Sequence, residues 1–221
     1  MVQSRINPLK KSEWGILAAL LFLSLVPCVA GTVRLVELAG GATPLPLNPR
    51  VQLSPTPAVL HIASSVIYCV LGAFQFLPSI RRHFPQWHRY SGRALVFAGV
   101  VSALTGVWMT HFYTFPEALQ GQLLYWVRLL LGLAMAVFIV LGLRAIINKR
   151  VSQHRAWMMR GYAIGLGAGS QVVIFLPFML TMGEPAGVAR DTLMVLAWVI
   201  NLLIAEWIIR LPARRAHLAK A

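Results

Sequence analysis

Apolar residues in this chain gather in six long blocks, without the two-residue alternation of a half-buried strand. The blocks run from Trp14 to Val33, Ala58 to Leu77, Ala94 to His111, Leu123 to Ile147, Ala156 to Met182 and Thr192 to Ile209. Each is close to or above the roughly 18 to 20 residues that carry a helix across a hydrocarbon layer of about 30 Å. Lipid offers a bare peptide group no partner, so a spanning segment must be a helix or a closed barrel. Continuous apolarity excludes the barrel. The pattern predicts an all-α, polytopic membrane bundle of six transmembrane helices forming a single domain over residues 1–221. Connections are short except for Arg34 to Pro57, where five prolines argue against regular helix and predict an extended surface segment.

Composition agrees with this class and adds an orientation. The chain is 58% hydrophobic and 12% charged, with a net charge of +14. Arg5, Lys10 and Lys11 precede the first block. Arg81, Arg82, Arg89 and Arg93 join the second to the third, and Arg144, Lys149, Arg150 and Arg155 join the fourth to the fifth. Arg210, Arg214, Arg215 and Lys220 follow the sixth, so fifteen of the 20 basic residues fall on one side. Arg34, Arg50 and Arg190 are on the other, and Arg128 and Arg160 lie within blocks. The positive-inside rule then predicts a membrane protein with both termini in the cytoplasm, and an even number of crossings agrees in putting them on one side. The basic charge reads as a topology signal and an anionic-lipid contact, not as a nucleic-acid footprint. The first block is too long for a signal-peptide core, so it is expected to remain as a helix. Cys28 and Cys69 lack metal or redox spacing and read as apolar fillers.

The chemistry rests on histidine. His83 and His217 fall in basic connecting segments and read as headgroup-facing. His61 lies about one turn inside the outer end of the second helix, and His111 closes the third at the same level. His88 and His154 open the third and fifth helices on the cytoplasmic side. His88 and His111 are 23 residues apart, about 34 Å along a helix at about 1.5 Å per residue, so the four histidines define one tier near each leaflet. Helical steps from His154 meet Met158, Gly161, Gly165 and Gly169; steps from His88 meet Gly92, Gly99, Ser102 and Gly106. Two glycine-lined troughs of this kind can hold a flat ring with imidazoles as axial ligands, or can simply pack helix against helix. From His61 the same walk meets Ser65, Tyr68, Gly72 and Gln75, a polar stripe that must face protein. Zinc is disfavoured, since no two histidines share one-turn spacing and acidic or thiol partners are few. Arg128 and Arg160, one per tier, suit the carboxylates of a haem or the head of an anionic quinone, and Glu206 is the acid placed to meet Arg160 or Arg210.

The segments WHRYSGR (Trp87 to Arg93) and QHRAWMMRGY (Gln153 to Tyr162) resemble the bacterial membrane family catalogued as domain of unknown function 2306. His61 near the start of the preceding helix suits the same pattern. The resemblance covers roughly Ala58 to Met182 and implies a polytopic inner-membrane protein with no assigned reaction. A looser, architectural likeness is to the two-haem, ascorbate-reducible cytochrome b family, whose ligands come from four successive helices. This chain departs from it, because its fourth helix has no histidine and its third has two.

The leading expectation is therefore a haem b-binding electron carrier, with a quinone or an unidentified redox protein as its partner. Its iron ligands are His88 and His154, with His61 and His111 as the weaker outer pair. Arg128 and Arg160 accompany the cofactor. Two other classes compete. One is a membrane assembly factor or scaffold whose His-Arg clusters anchor helix ends, and the other is a small proton or anion transporter using His61, Arg128 and Glu206. No nucleophile elbow or phosphate-cradling loop points to a soluble-type enzyme.

Overall fold

The computed structural model describes residues 10–218 apart from 43 and 45. Arg5 and Lys220 of the basic tails, and the side chains of Arg214, Arg215 and His217, lie outside the described residues. The described chain is helical throughout: α1 (Lys11–Leu38), α2 (Pro49–Leu53), α3 (Pro55–Gln75), α4 (Pro78–His83), α5 (Pro85–Phe112), α6 (Gln122–Ile147), α7 (Val151–Gly165), α8 (Gly167–Met182) and α9 (Gly187–Leu218). Five of these are long and apolar enough to cross a membrane, and α7 with α8 makes a sixth span bent by 46°. The six predicted crossings are present, with two corrections at their ends and one in the middle.

The first correction concerns proline. The segment Arg34 to Pro57 is not wholly irregular, since Pro49 begins α2 and Pro55 begins α3. Pro78 and Pro85 begin α4 and α5 in the same way. At the first helical position the missing N–H costs nothing and the fixed φ matches the helix, so these prolines start helices. The second correction follows from it: α5 begins at Pro85, nine residues before the predicted Ala94, and α7 begins at Val151, five before Ala156. WHRYSGR and the start of QHRAWMMRGY are therefore first turns of helices. His88 and His154 each occupy the fourth helical residue, with the backbone N–H donating 3.0 Å to the carbonyl of Phe84 and Arg150 respectively.

The third correction is the break at Leu166, where one continuous helix from Ala156 to Met182 was expected. In an intact helix the N–H groups of Gly167, Ala168 and Gly169 would bond back to Ala163, Ile164 and Gly165. Here those three carbonyls take side-chain donors from neighbouring helices. Asn201 Nδ2 donates to Ala163 at 3.1 Å, Trp198 Nε1 to Ile164 at 3.1 Å and the Cys69 thiol to Gly165 at 3.7 Å. Asn201 Oδ1 accepts from the Ser170 hydroxyl at 2.8 Å, tying α8 to the same residue. A bent span survives in lipid when its freed carbonyls are satisfied by protein in this way.

Helices α3, α5, α6 and α7 form a four-membered core in which α5 touches α3 and α6, and α7 touches α6 and, more lightly, α3. Hence α5 and α7 stand across the core from one another. Helices α1 and α9 flank it, α1 against α3 and α8, and α9 against α7 and α8. The centre contains Tyr68, Leu95, Ala98, Ala103, Met135, Ile139, Tyr162 and Ile164. Glu13 in the first turn of α1 is 3% exposed and accepts from Lys10 N at 2.9 Å, Ser79 N at 2.8 Å and Ser79 Oγ at 2.5 Å. It thus satisfies orphan N–H groups at the starts of both α1 and α4.

Candidate functional site

The bundle has two ends, one carrying α4 and the starts of α5 and α7, the other carrying α2 and the starts of α3, α6 and α9. At about 100° per residue, His88 lies only about 20° around α5 from Gly99, eleven residues on. His154 is similarly about 20° from Gly161 and Gly165 around α7. All three glycines face the core: a Cβ at Gly99 or Gly161 would meet Tyr68 and Ile139, and one at Gly165 would meet Tyr68 and Met135. The troughs read from the sequence do face each other. The flat ring between them, however, is the protein's own Tyr68, so the middle of the bundle is closed to a cofactor.

His88 and His154 sit above that floor, at the α4 end, within electrostatic reach of one another. His154 Nδ1 donates to the Gly142 carbonyl at 2.9 Å, which leaves Nε2 as the lone-pair nitrogen of a neutral ring. His88 Nδ1 is buried and lacks a hydrogen-bond partner among the described residues. Arg81 and Arg155 belong to the same cluster. Burial first, and then the charges of Arg155 and Arg82, hold the Arg81 guanidinium below its ordinary range. The arrangement is a pair of imidazoles beneath a cationic rim, and Glu13, the acid nearest Arg81, is already occupied by Lys10 and Ser79.

The α2 end does not repeat this. His61 Nδ1 bonds to the Ser102 carbonyl at 2.9 Å and lies 3.3 Å from Thr105 Oγ1, with its ring packed on Gly106. His111 is nine residues beyond Ser102, hence about 180° away on α5. It is exposed, lies 2.8 Å from the Tyr125 hydroxyl, and lines a shallow apolar groove of about 360 Å³ with Trp108, Phe112 and Leu133. His61 and His111 therefore face opposite sides of α5.

Arg160 and Arg128 lie toward opposite ends of the bundle, and their partners differ. Arg160 Nε donates to Glu206 Oε1 at 2.5 Å, its guanidinium carbon 4.7 Å from the centre of the Trp157 ring, and Arg210 approaches the other Glu206 oxygen at 3.5 Å. Glu206 thus meets both partners offered by the sequence, and Arg160 is committed to it. Arg128 donates to Gln120 Oε1 at 2.6 Å and to the Met194 sulfur at 3.7 Å, far along α6 from the α4 end. The cation beside His88 is Arg81, with Arg155 in reach of Arg81; the sequence marks both only as members of basic connections.

Five long apolar helices and the bent α7–α8 pair, whose freed carbonyls are met by side chains of neighbouring helices, define an integral membrane protein. Its lipid-facing surface includes Phe97, Trp126, Leu130, Leu180 and Trp207, all more than half exposed. The chain belongs to the family described as Predicted membrane protein (DUF2306), whose model matches residues 58–209. That match runs past the expected Met182 limit to take in most of α9, and leaves α1 and α2 outside it. No curated protein and no solved structure matches the chain.

Proposed function

We propose that this protein is a b-haem-binding electron carrier of a bacterial inner membrane, with both termini cytoplasmic and one haem held by His88 and His154 at the α4 end. The observation that supports it best is the inward-facing imidazole pair on helices that stand across the core. One ring is oriented by the Gly142 carbonyl, and the other has a buried nitrogen with no protein partner among the described residues. Haem iron would supply one-electron transfer there, with a quinone or a redox protein as donor or acceptor. In this reading Gly142 fixes the tautomer of His154, Tyr68 closes the floor, and Arg81 and Arg155 compensate carboxylate charge. His61 and His111 are left out because they point to opposite sides of α5, so a single haem is proposed. The orientation rests on the clustering of basic residues at the α4 end.

The test is an absorption spectrum of the detergent-purified chain, oxidised and then dithionite-reduced, with a pyridine haemochrome count. One haem per chain is expected, lost in His88→Ala and His154→Ala and retained in His111→Ala. A featureless spectrum from protein made with ample haem would overturn the reading and leave the scaffold and transporter classes.

A further inference from the structure

Three arginines that the haem reading does not use converge at the α2 end. Arg50 comes from α2, Arg128 from the second turn of α6, and Arg190 from the first turn of α9. Arg50 and Arg190 both lie within electrostatic reach of Arg128. The guanidinium carbons of Arg50 and Arg128 stand 4.5 and 5.5 Å from the centre of the same Phe115 ring, which brings two elements distant in sequence to one point.

Among the described residues, the hydrogen bonds of Arg50 and Arg128 run to neutral groups. Arg50 Nε donates to Asn48 Oδ1 at 3.2 Å, and Arg128 donates to Gln120 and Met194. Arg190 has a long contact of 3.7 Å to Glu184, whose side chain is 73% exposed. The acid at the centre of the group is Asp191, and both its oxygens are taken, Oδ1 by Gly121 N and Oδ2 by Leu124 N at 3.1 Å each. Two guanidinium atoms, Arg50 Nη1 and Arg190 Nε, are buried without a partner. Like charges do not gather with donors unsatisfied and out of water unless an anion completes them, since an unmet charged donor is among the costliest groups to bury.

We propose that Arg50, Arg128 and Arg190 form a binding site for one phosphate-type anion. A guanidinium fork pairs with carboxylate and phosphate alike, but three of them converging offer more donors than a carboxylate's two oxygens can meet, and a tetrahedral phosphate has the further oxygens. Arg128, six residues into α6, sits about 9 Å along the helix from its start, which is headgroup depth at this end of the span. A phospholipid headgroup and a free phosphate share this chemistry.

The experiment measures the thermal midpoint of the delipidated, full-length wild-type chain in a neutral maltoside detergent. Inorganic phosphate is titrated against chloride at equal ionic strength, and phosphatidylglycerol is titrated separately against phosphatidylcholine. A saturable rise of at least about 3 °C is expected in one arm. A rise with inorganic phosphate identifies a free anion as sufficient, and a rise with phosphatidylglycerol alone identifies the lipid headgroup. Arg50→Gln and Arg190→Gln, each checked for the wild-type ligand-free midpoint to within a few degrees, should raise the half-saturating concentration at least tenfold. The proposal is overturned if neither anion moves the wild-type midpoint, or if both variants respond as the wild type does. The wild-type titration stands even where a variant does not fold.

Discussion

Asn201 offers the most direct test of how the bent span is held. Its amide donates to the Ala163 carbonyl at 3.1 Å and accepts from the Ser170 hydroxyl at 2.8 Å. Asn201→Ala leaves both groups facing apolar surroundings. A buried polar group deprived of its partner costs about 1–3 kcal/mol, so the two together lower stability by roughly 2–5 kcal/mol once relaxation is allowed for. For a chain of this length about 1 kcal/mol moves the midpoint by roughly 2–4 °C, giving an expected fall of about 4–20 °C by circular dichroism in detergent. Asn201→Asp is the sharper variant. At neutral pH it sets a carboxylate against a carbonyl oxygen and should fall further than the alanine. Midpoints of both variants within about 1 °C of wild type would show that the break at Leu166 is held by something other than these captured carbonyls.

Other perturbations separate the remaining devices. Trp198→Phe removes the Nε1 donor to the Ile164 carbonyl together with part of the ring packed on Gly167, and should cost at least about 1–3 kcal/mol, read by the same melt. Asp191→Ala uncaps α6 by losing two N–H partners and is expected to cost about 1–3 kcal/mol, while Asp191→Asn, nearly as good a cap, should recover most of it; equal loss in both would refute the capping role. A Cβ at Gly169 would fall on the Leu23 carbonyl of α1, so Gly169→Ala should cost about 1–3 kcal/mol and make the α1 connection more sensitive to limited proteolysis. Arg160→Glu and Glu206→Arg should each destabilise the chain, and the exchange of both should be more stable than either; no recovery would refute a specific pair.

The spans were legible because their signal is cumulative: about twenty apolar residues in a row outvote any local irregularity. Their ends were not, because they depend on single residues read in context. Pro85 followed by polar Gln86, Trp87, His88 and Arg89 looks like a connection by hydropathy, yet the proline starts a helix and the polar turn extends beyond the apolar block. The break at Leu166 had a visible cue in Gly165, Gly167 and Gly169. Spacing alone assigns Gly165 and Gly169 to a smooth face, and the donors that make a break tolerable, Cys69, Trp198 and Asn201, come from other helices.

The candidate site divides along the same line. Angles along one helix are computable from sequence, and they place His88 with Gly99 and His154 with Gly161 and Gly165 on single faces. What fills the space between two faces is a tertiary fact, and here Tyr68 fills it. The same arithmetic set His111 opposite Ser102, but only the bond from His61 to the Ser102 carbonyl shows which side of α5 the polar stripe of α3 meets. Arginine partners were legible only in part: depth and one-turn spacing offered Glu206 to Arg160 and Arg210, but no periodicity brings Arg50 and Arg190 to Arg128. Arg160 is neutralised by Glu206 from forty-six residues away, whereas Arg128 shares the Phe115 ring with Arg50 and has Arg190, stacked on Phe175, within electrostatic reach. A buried cation that meets its anion within the chain stabilises the fold. One that meets further cations requires something from outside, and this difference separates the two intramembrane arginines in function.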